Sequence, residues 1–204
     1  MLTRRDFSLA VSASAFAVAG CATSADPRRP LEAQPSSVLQ EAMTGKAVPG
    51  MAAIVIRDFE VETEYFAGVR ALGSPAMIAP NDRWHLGSDG KAMTATLIAK
   101  LVDAGALSWE QRLAQMLPDI AAAMQPAYRD VTLPDLLSHR AGLPQNTADL
   151  EFFGTFYADT APLSDQRVRY VSRCLTEAPV GAPRGESSYS NTGFIIAAVC
   201  AERA

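Results

Sequence analysis

The chain has 204 residues, 49% of them hydrophobic, and a formal net charge of −4. That is room for one domain, or a domain with a small subdomain, and enough apolar material for a core. Lys46, Lys91 and Lys100 are the only lysines, and neither a basic patch nor an aromatic series marks a nucleic-acid partner.

Arg4 and Arg5 begin a short basic stretch, and residues 9–20 are apolar, rich in alanine and too short to span a bilayer. Residues 1–20 therefore read as an export signal. Arg4-Arg5-Asp6-Phe7-Ser8-Leu9 resembles a twin-arginine signal. Val18-Ala19-Gly20-Cys21 resembles a lipobox, in which cleavage ahead of Cys21 leaves a lipid-bearing cysteine. Together they predict a lipid anchor at Cys21 on the periplasmic side of the cell envelope. The plainer alternative is an export signal cut elsewhere. Residues 21–35, rich in Pro, Ser and Arg, fit a tether to a domain over 36–204.

Ser36 or Ser37 can cap a short helix carrying Val38, Leu39, Ala42 and Met43, ended by Gly45 and Val48-Pro49-Gly50. Residues 51–56 read as a buried strand, Asp58-Phe59 as a tight connection, and 61–66 as a strand with one wetter face, together an antiparallel hairpin packed on helices. Residues 69–81, broken by Gly73, Pro75 and Pro80, read as a loop. A helix then starts near Ser88, with Met93, Leu97, Leu101 and Val102 on its buried face, and ends at Asp103-Ala104-Gly105. Ser108 to Gln111 has the form of a capping box opening a helix with Leu113 and Leu117, and Thr132 to Asp135 that of a second, with proline in its first turn. Phe152, Phe153, Phe156 and Tyr157 read as the packing of a subdomain ahead of a cleft lining. Val168, Val171 and Leu175 mark another helix, the loop 179–186 delivers Tyr189-Ser190-Asn191, and 194–199 is an apolar run. Cys174 and Cys200 are not predicted to bridge, and Cys200 reads as a small buried residue.

Ser88 and Lys91 are three apart, hence on one helix face, and a serine beside a lysine at a helix start is a nucleophile paired with a base. The bland reading is an N-cap serine followed by a solvated lysine. Against it, the helix dipole disfavours a lysine in the first turn, and Gly90 is costly there.

The chain at this point resembles the serine β-lactamase-like hydrolases: class C β-lactamases, penicillin-binding DD-peptidases and related esterases. Ser88-Asp89-Gly90-Lys91 resembles the family's Ser-x-x-Lys, Leu136-Leu137-Ser138-His139-Arg140-Ala141-Gly142-Leu143-Pro144 its Leu-Leu-Ser-His-x-x-Gly-Leu-Pro segment, and Tyr189-Ser190-Asn191 its Tyr-x-Asn. The resemblance covers 36–204 and implies an α/β (α+β) fold, an antiparallel sheet with a helical subdomain. It implies Ser88 as the acylated nucleophile and Lys91 as its proton acceptor or as the partner of the base. Tyr189 would be the general base or the proton relay, Asn191 would bind Lys91 and the substrate amide, and the Ser88 backbone N–H would be half of an oxyanion hole. On local grounds Tyr189 also reads as a packed aromatic, Asn191 as the N-cap of the last helix, His139 as a turn-holding residue and Ser190 as an ordinary turn residue. No Lys-Thr-Gly or correctly placed His-x-Gly third motif occurs, so the sequence is expected to be the N-terminal part of such a hydrolase with its C-terminal strands missing.

The predicted substrate is a small molecule or peptide: a β-lactam, a D-Ala-D-Ala peptide or a small ester. No metal and no organic cofactor are implied, since the His, Cys and acidic residues lack ligand spacing. The rivals are a non-catalytic cell-envelope protein binding peptidoglycan or a partner, and an inactive fragment of the hydrolase.

Overall fold

A computed structural model describes residues 34–204. The leader, Cys21 and nearly all of the tether lie outside the described residues. Those described form two compact units, one running to Trp84 and one from His85 to Ala204.

The first unit is a three-stranded sheet with one helix. β1 (Gln34–Pro35) pairs in parallel with β3 (Glu60–Gly68), and β2 (Gly50–Arg57) pairs antiparallel with β3, in the order β1-β3-β2. The segment read as a tether thus ends in a strand. The hairpin register runs from Gly50 opposite Gly68 to Arg57 opposite Glu60, with an irregularity between Val55 and Ile56. Asp58 and Phe59 turn it with φ of 51° and 67°, the left-handed pair that a two-residue hairpin demands and that normally selects Asn-Gly. α1 (Ser37–Met43) packs on β2 and β3, and its cap is Ser36, whose Oγ accepts the Leu39 N–H at 3.2 Å.

β2 was expected to be buried. Its C-terminal half is not: Ile54, Val55 and Ile56 are all exposed. Among the described residues β2 is an edge strand, paired on one side only, with β3.

The second unit is helical. A 3-10 turn (Gly87–Asp89) runs into α2 (Gly90–Asp103), followed by α3 (Leu113–Met116), α4 (Leu133–Leu137), α5 (Leu150–Gly154), α6 (Leu163–Cys174) and α7 (Asn191–Glu202). α7 is the centre of this unit and packs against α2, α4 and α6. The core gathers Ile98, Leu113, Leu117, Leu136, Val171 and Ile196, all at 0% exposure. Tyr170 of α6 collects the rings of Phe152, Phe153 and Phe156, which makes the aromatic group a packing element. None of the described helices is long and apolar enough to cross a membrane.

Three local expectations change. α2 buries Ile98, with Leu101 and Val102 against the core, while Met93 and Leu97 are more than half exposed. The buried stripe is rotated by about one residue, 100° on a helix. Ser108 does not start α3. Its Oγ closes a turn on Glu110, and α3 starts at Arg112, whose N–H is taken by the Gln115 side chain at 2.9 Å. The box at α4 forms as read, with Asp135 accepting from both the N–H and the hydroxyl of Thr132 at 2.9 Å. The cap of α7 is Ser190 rather than Asn191: its Oγ accepts the Gly193 N–H at 3.0 Å and donates to the Pro144 carbonyl at 2.7 Å. A buried serine anchored at both ends is the better cap and leaves Asn191 free for another partner.

Candidate active site

Two helix starts meet. At the first, the Gly87 N–H is held by His85 Nδ1 at 3.1 Å, and a left-handed Gly87 (φ 55°) turns the chain so that Ser88 stands one turn ahead of Lys91. At the second, the Ser190 cap fixes the first turn of α7, and the Gln145 carbonyl accepts the N–H groups of Asn191 and Thr192 at 2.8 and 3.3 Å. The four residues singled out in the sequence come together across about a hundred positions of chain. Ser88 Oγ and the Tyr189 hydroxyl share a hydrogen bond at 2.6 Å. Lys91 Nζ donates to Ser88 Oγ at 3.2 Å and to Asn191 Oδ1 at 2.7 Å. The same ammonium lies 4.7 Å from the centroid of the Tyr189 ring and 5.6 Å from that of Phe194.

The electrostatics follow from this crowding. Lys91, and after it Ser88, hold the Tyr189 phenol below the usual tyrosine range. A cation beside the phenol oxygen stabilises phenolate, and that is the form able to accept a proton from Ser88. Tyr189 is 45% exposed, and its hydrogen bond with Ser88 lies at the surface.

Two further residues belong to the arrangement. Asn146 Oδ1 accepts from Asn191 Nδ2 at 3.0 Å, which turns the Asn191 carbonyl oxygen toward Lys91. No local pattern marks Asn146 in the sequence. His139, read as a turn holder, does sit in a left-handed turn (φ 61°), and its ring also lies against Tyr189, centroids 4.6 Å apart.

Cys174 and Cys200 are free and buried, and burial pushes their thiols up to about 11 and about 12. Among the described residues no cluster of three or more His, Cys, Asp or Glu side chains is placed to hold a metal.

A protein-family model described as Beta-lactamase matches residues 36–204. Penicillin-binding protein 4 of Amycolatopsis lactamdurans is 34% identical over 149 residues, covering 73% of this chain and 36% of that protein. An unguisins hydrolase of Aspergillus campestris is 29% identical over 184 residues, covering 87% of this chain and 33% of that protein. Among solved structures, a D-stereospecific amidohydrolase from a Streptomyces species superposes with a TM-score of 0.63 at 24% identity, over 81% of this chain and 47% of that one. The chain spans about a third of the length of these curated relatives.

Proposed function

The chain belongs to the Beta-lactamase family, and from that premise we propose that its site is that of a serine hydrolase working through an acyl-enzyme on Ser88. The observation that carries the reading is the Ser88 hydroxyl held 2.6 Å from a tyrosine whose phenol Lys91 acidifies. Tyr189, as phenolate, takes the proton of Ser88 while Oγ attacks a carbonyl carbon. The phenol then hands that proton to the leaving amine, alcohol or ring nitrogen as the C–N or C–O bond breaks. Water then attacks the resulting ester, giving a proton to Tyr189, which passes it to Ser88 Oγ as the acyl C–Oγ bond breaks; a carboxylic acid leaves and the serine hydroxyl and phenolate are restored. Lys91 stands beside the phenol, fixed by Asn191, which Asn146 orients in turn. The Ser88 N–H, at the positive end of α2, supplies one donor to the oxyanion, an interaction commonly worth about 3 kcal/mol in acyl transfer.

The substrates proposed are β-lactams, D-Ala-D-Ala peptides and small esters. Relatives named for penicillin binding and for hydrolysis of unguisins, and a structural neighbour named for D-stereospecific amide hydrolysis, support an acyl substrate. The test is intact mass after exposure to a β-lactam and, separately, to a phosphonate ester, with Ser88→Ala as control. An adduct on the wild type alone supports the reading. A folded wild type with no adduct to either probe, and no turnover of a cephalosporin, a D-Ala-D-Ala peptide or a nitrophenyl ester, refutes it and favours a binding protein. Export and lipid attachment at Cys21 are proposed alongside, resting on Val18-Ala19-Gly20-Cys21. Radioactive palmitate that labels the wild type and not Cys21→Ser is the expected result.

A further inference from the structure

We infer that His139 is the positioning residue for Tyr189 and that it holds the phenol against Ser88 only as a neutral imidazole. This rests on the serine-hydrolase reading of the site, and the contacts of His139 extend that reading to pH.

His139 grips the chain on both sides of Tyr189. Its carbonyl oxygen accepts the Ser188 N–H at 2.9 Å, and its Nδ1 accepts the Ser190 N–H at 3.1 Å. Between these two clamps its ring lies on that of Tyr189, tilted by 38°, and 5.3 Å from that of Phe194. Residue 189 is therefore fixed by its neighbours' amides and by its own ring, all through one side chain and its carbonyl. The left-handed backbone of His139 is what aims both acceptors at one short segment, and that conformation is costly for a residue other than glycine, asparagine or aspartate.

The Ser190 N–H needs a lone pair at Nδ1, so the neutral ring carries its proton on Nε2. A second proton would go on Nδ1. There it would face the Ser190 N–H, donor against donor, and the hydrogen bond would be lost. The charged and titratable groups facing the imidazole are Lys91 from α2 and Tyr189 itself. α7 faces it with Phe194, while Arg140, next in the chain, is held by the carbonyls of Arg184 and Gly185. An imidazolium would thus bring a second positive charge close to Lys91 and free the segment that carries Tyr189. Partial burial, and then Lys91, hold the histidine below its ordinary value, which keeps the clamp closed at neutral pH.

A turn-forming role alone would tolerate any residue that accepts the left-handed backbone, and two variants separate the readings. Asparagine accepts a φ of 61°, and its Oδ1 stands close to where Nδ1 stands, as an acceptor that never titrates. Leucine has neither property. The rate of Ser88 labelling by the phosphonate, followed by mass from pH 4.5 to 8, is expected to fall in acid for the wild type. His139→Asn keeps most of the neutral rate and loses the part of the acid fall that His139 causes. His139→Leu labels about 10²-fold more slowly at neutral pH, the usual effect of misplacing a catalytic group by about 1 Å. Because His139→Leu also strains the left-handed turn, an NMR titration of the wild type is run beside it. The Ser190 amide and the Tyr189 ring signals are expected to move with the same midpoint as the His139 ring nitrogens. Ser190 and Tyr189 signals that stay still while His139 titrates, or a His139→Asn profile that reproduces the wild-type acid fall, overturn the proposal. If Ser88 is labelled at no pH, the hydrolase reading falls, and the NMR titration decides the positioning role by itself.

Discussion

Tyr128 and Tyr170 are both buried, but phenylalanine at the two positions is expected to shift stability in opposite directions. The Tyr170 hydroxyl accepts the Thr147 N–H at 3.1 Å and shares a hydrogen bond with Thr192 Oγ1 at 3.2 Å. Thr147 and Thr192 are 4% and 0% exposed, so Tyr170→Phe strands an amide and a hydroxyl where water does not reach. One orphaned buried group costs about 1–3 kcal/mol, and the Thr192 hydroxyl can rotate, so the expected loss is about 2 kcal/mol. For a chain of this size that lowers Tm by about 4–8 °C. The Tyr128 hydroxyl is buried with no partner among the described residues, and that burial pushes its pKa up to about 12. Its removal relieves a desolvation penalty and leaves a void of a single oxygen, for a gain of up to about 1 kcal/mol, or about 2–4 °C. Urea and thermal unfolding by circular dichroism measure both. Hydrogen exchange at the Thr147 amide is expected to accelerate in Tyr170→Phe alone. Equal shifts in one direction, or a Tyr170→Phe variant with unchanged Tm and exchange, would refute the assignment of these hydrogen bonds.

Four further outcomes are expected. Phe59→Gly stabilises the hairpin by about 1 kcal/mol, since it relieves a left-handed residue whose ring is fully exposed; slower exchange of the amides paired between β2 and β3 is the readout. Asn191→Leu slows Ser88 labelling about 10²-fold with little change in Tm, by releasing Lys91, whereas Ser190→Ala lowers stability by about 1 kcal/mol through the cap; the pair, compared by labelling rate and melt, separates chemistry from folding. Cys174 and Cys200 resist thiol reagents at pH 8 in the native protein and react only on unfolding, as a time course in urea would show. His139, held below its ordinary value of about 6.5, binds fewer protons folded than unfolded. Its contribution therefore makes stability fall as pH drops below that value and level off under the folded one. Urea midpoints at several pH values check this, with His139→Asn removing that part of the slope.

The four residues of the candidate site were legible because each half of it is local. Ser88 and Lys91 share a helix turn, and Tyr189 and Asn191 flank a helix start, so short motifs carry each half. The joining of the halves is a matter of tertiary packing, and what it adds was not legible. Asn146 is an ordinary loop asparagine until α7 arrives beside it. Ser190 reads as an ordinary turn residue because its second partner, the Pro144 carbonyl, lies 46 positions away in sequence. Periodicity likewise named the helix α2 correctly but not its inner face, since Met93 and Leu97 continue the apolar pattern onto exposed surface. In β2 an apolar, branched run was equated with burial, although the strand lies at the sheet edge.

The site is a joint between the opening turns of α2 and α7, and both helices are seated in one close-packed interior. A helix advances about 1.5 Å per residue. A slip of α7 by that single step would pull the 2.7 Å contact between Lys91 and Asn191 out of hydrogen-bond range. The geometry of the candidate site is therefore adjustable from the interior. Substitutions that reseat either helix, such as at Ile98 or Ile196, act as fine controls on the contacts among Ser88, Lys91 and Asn191.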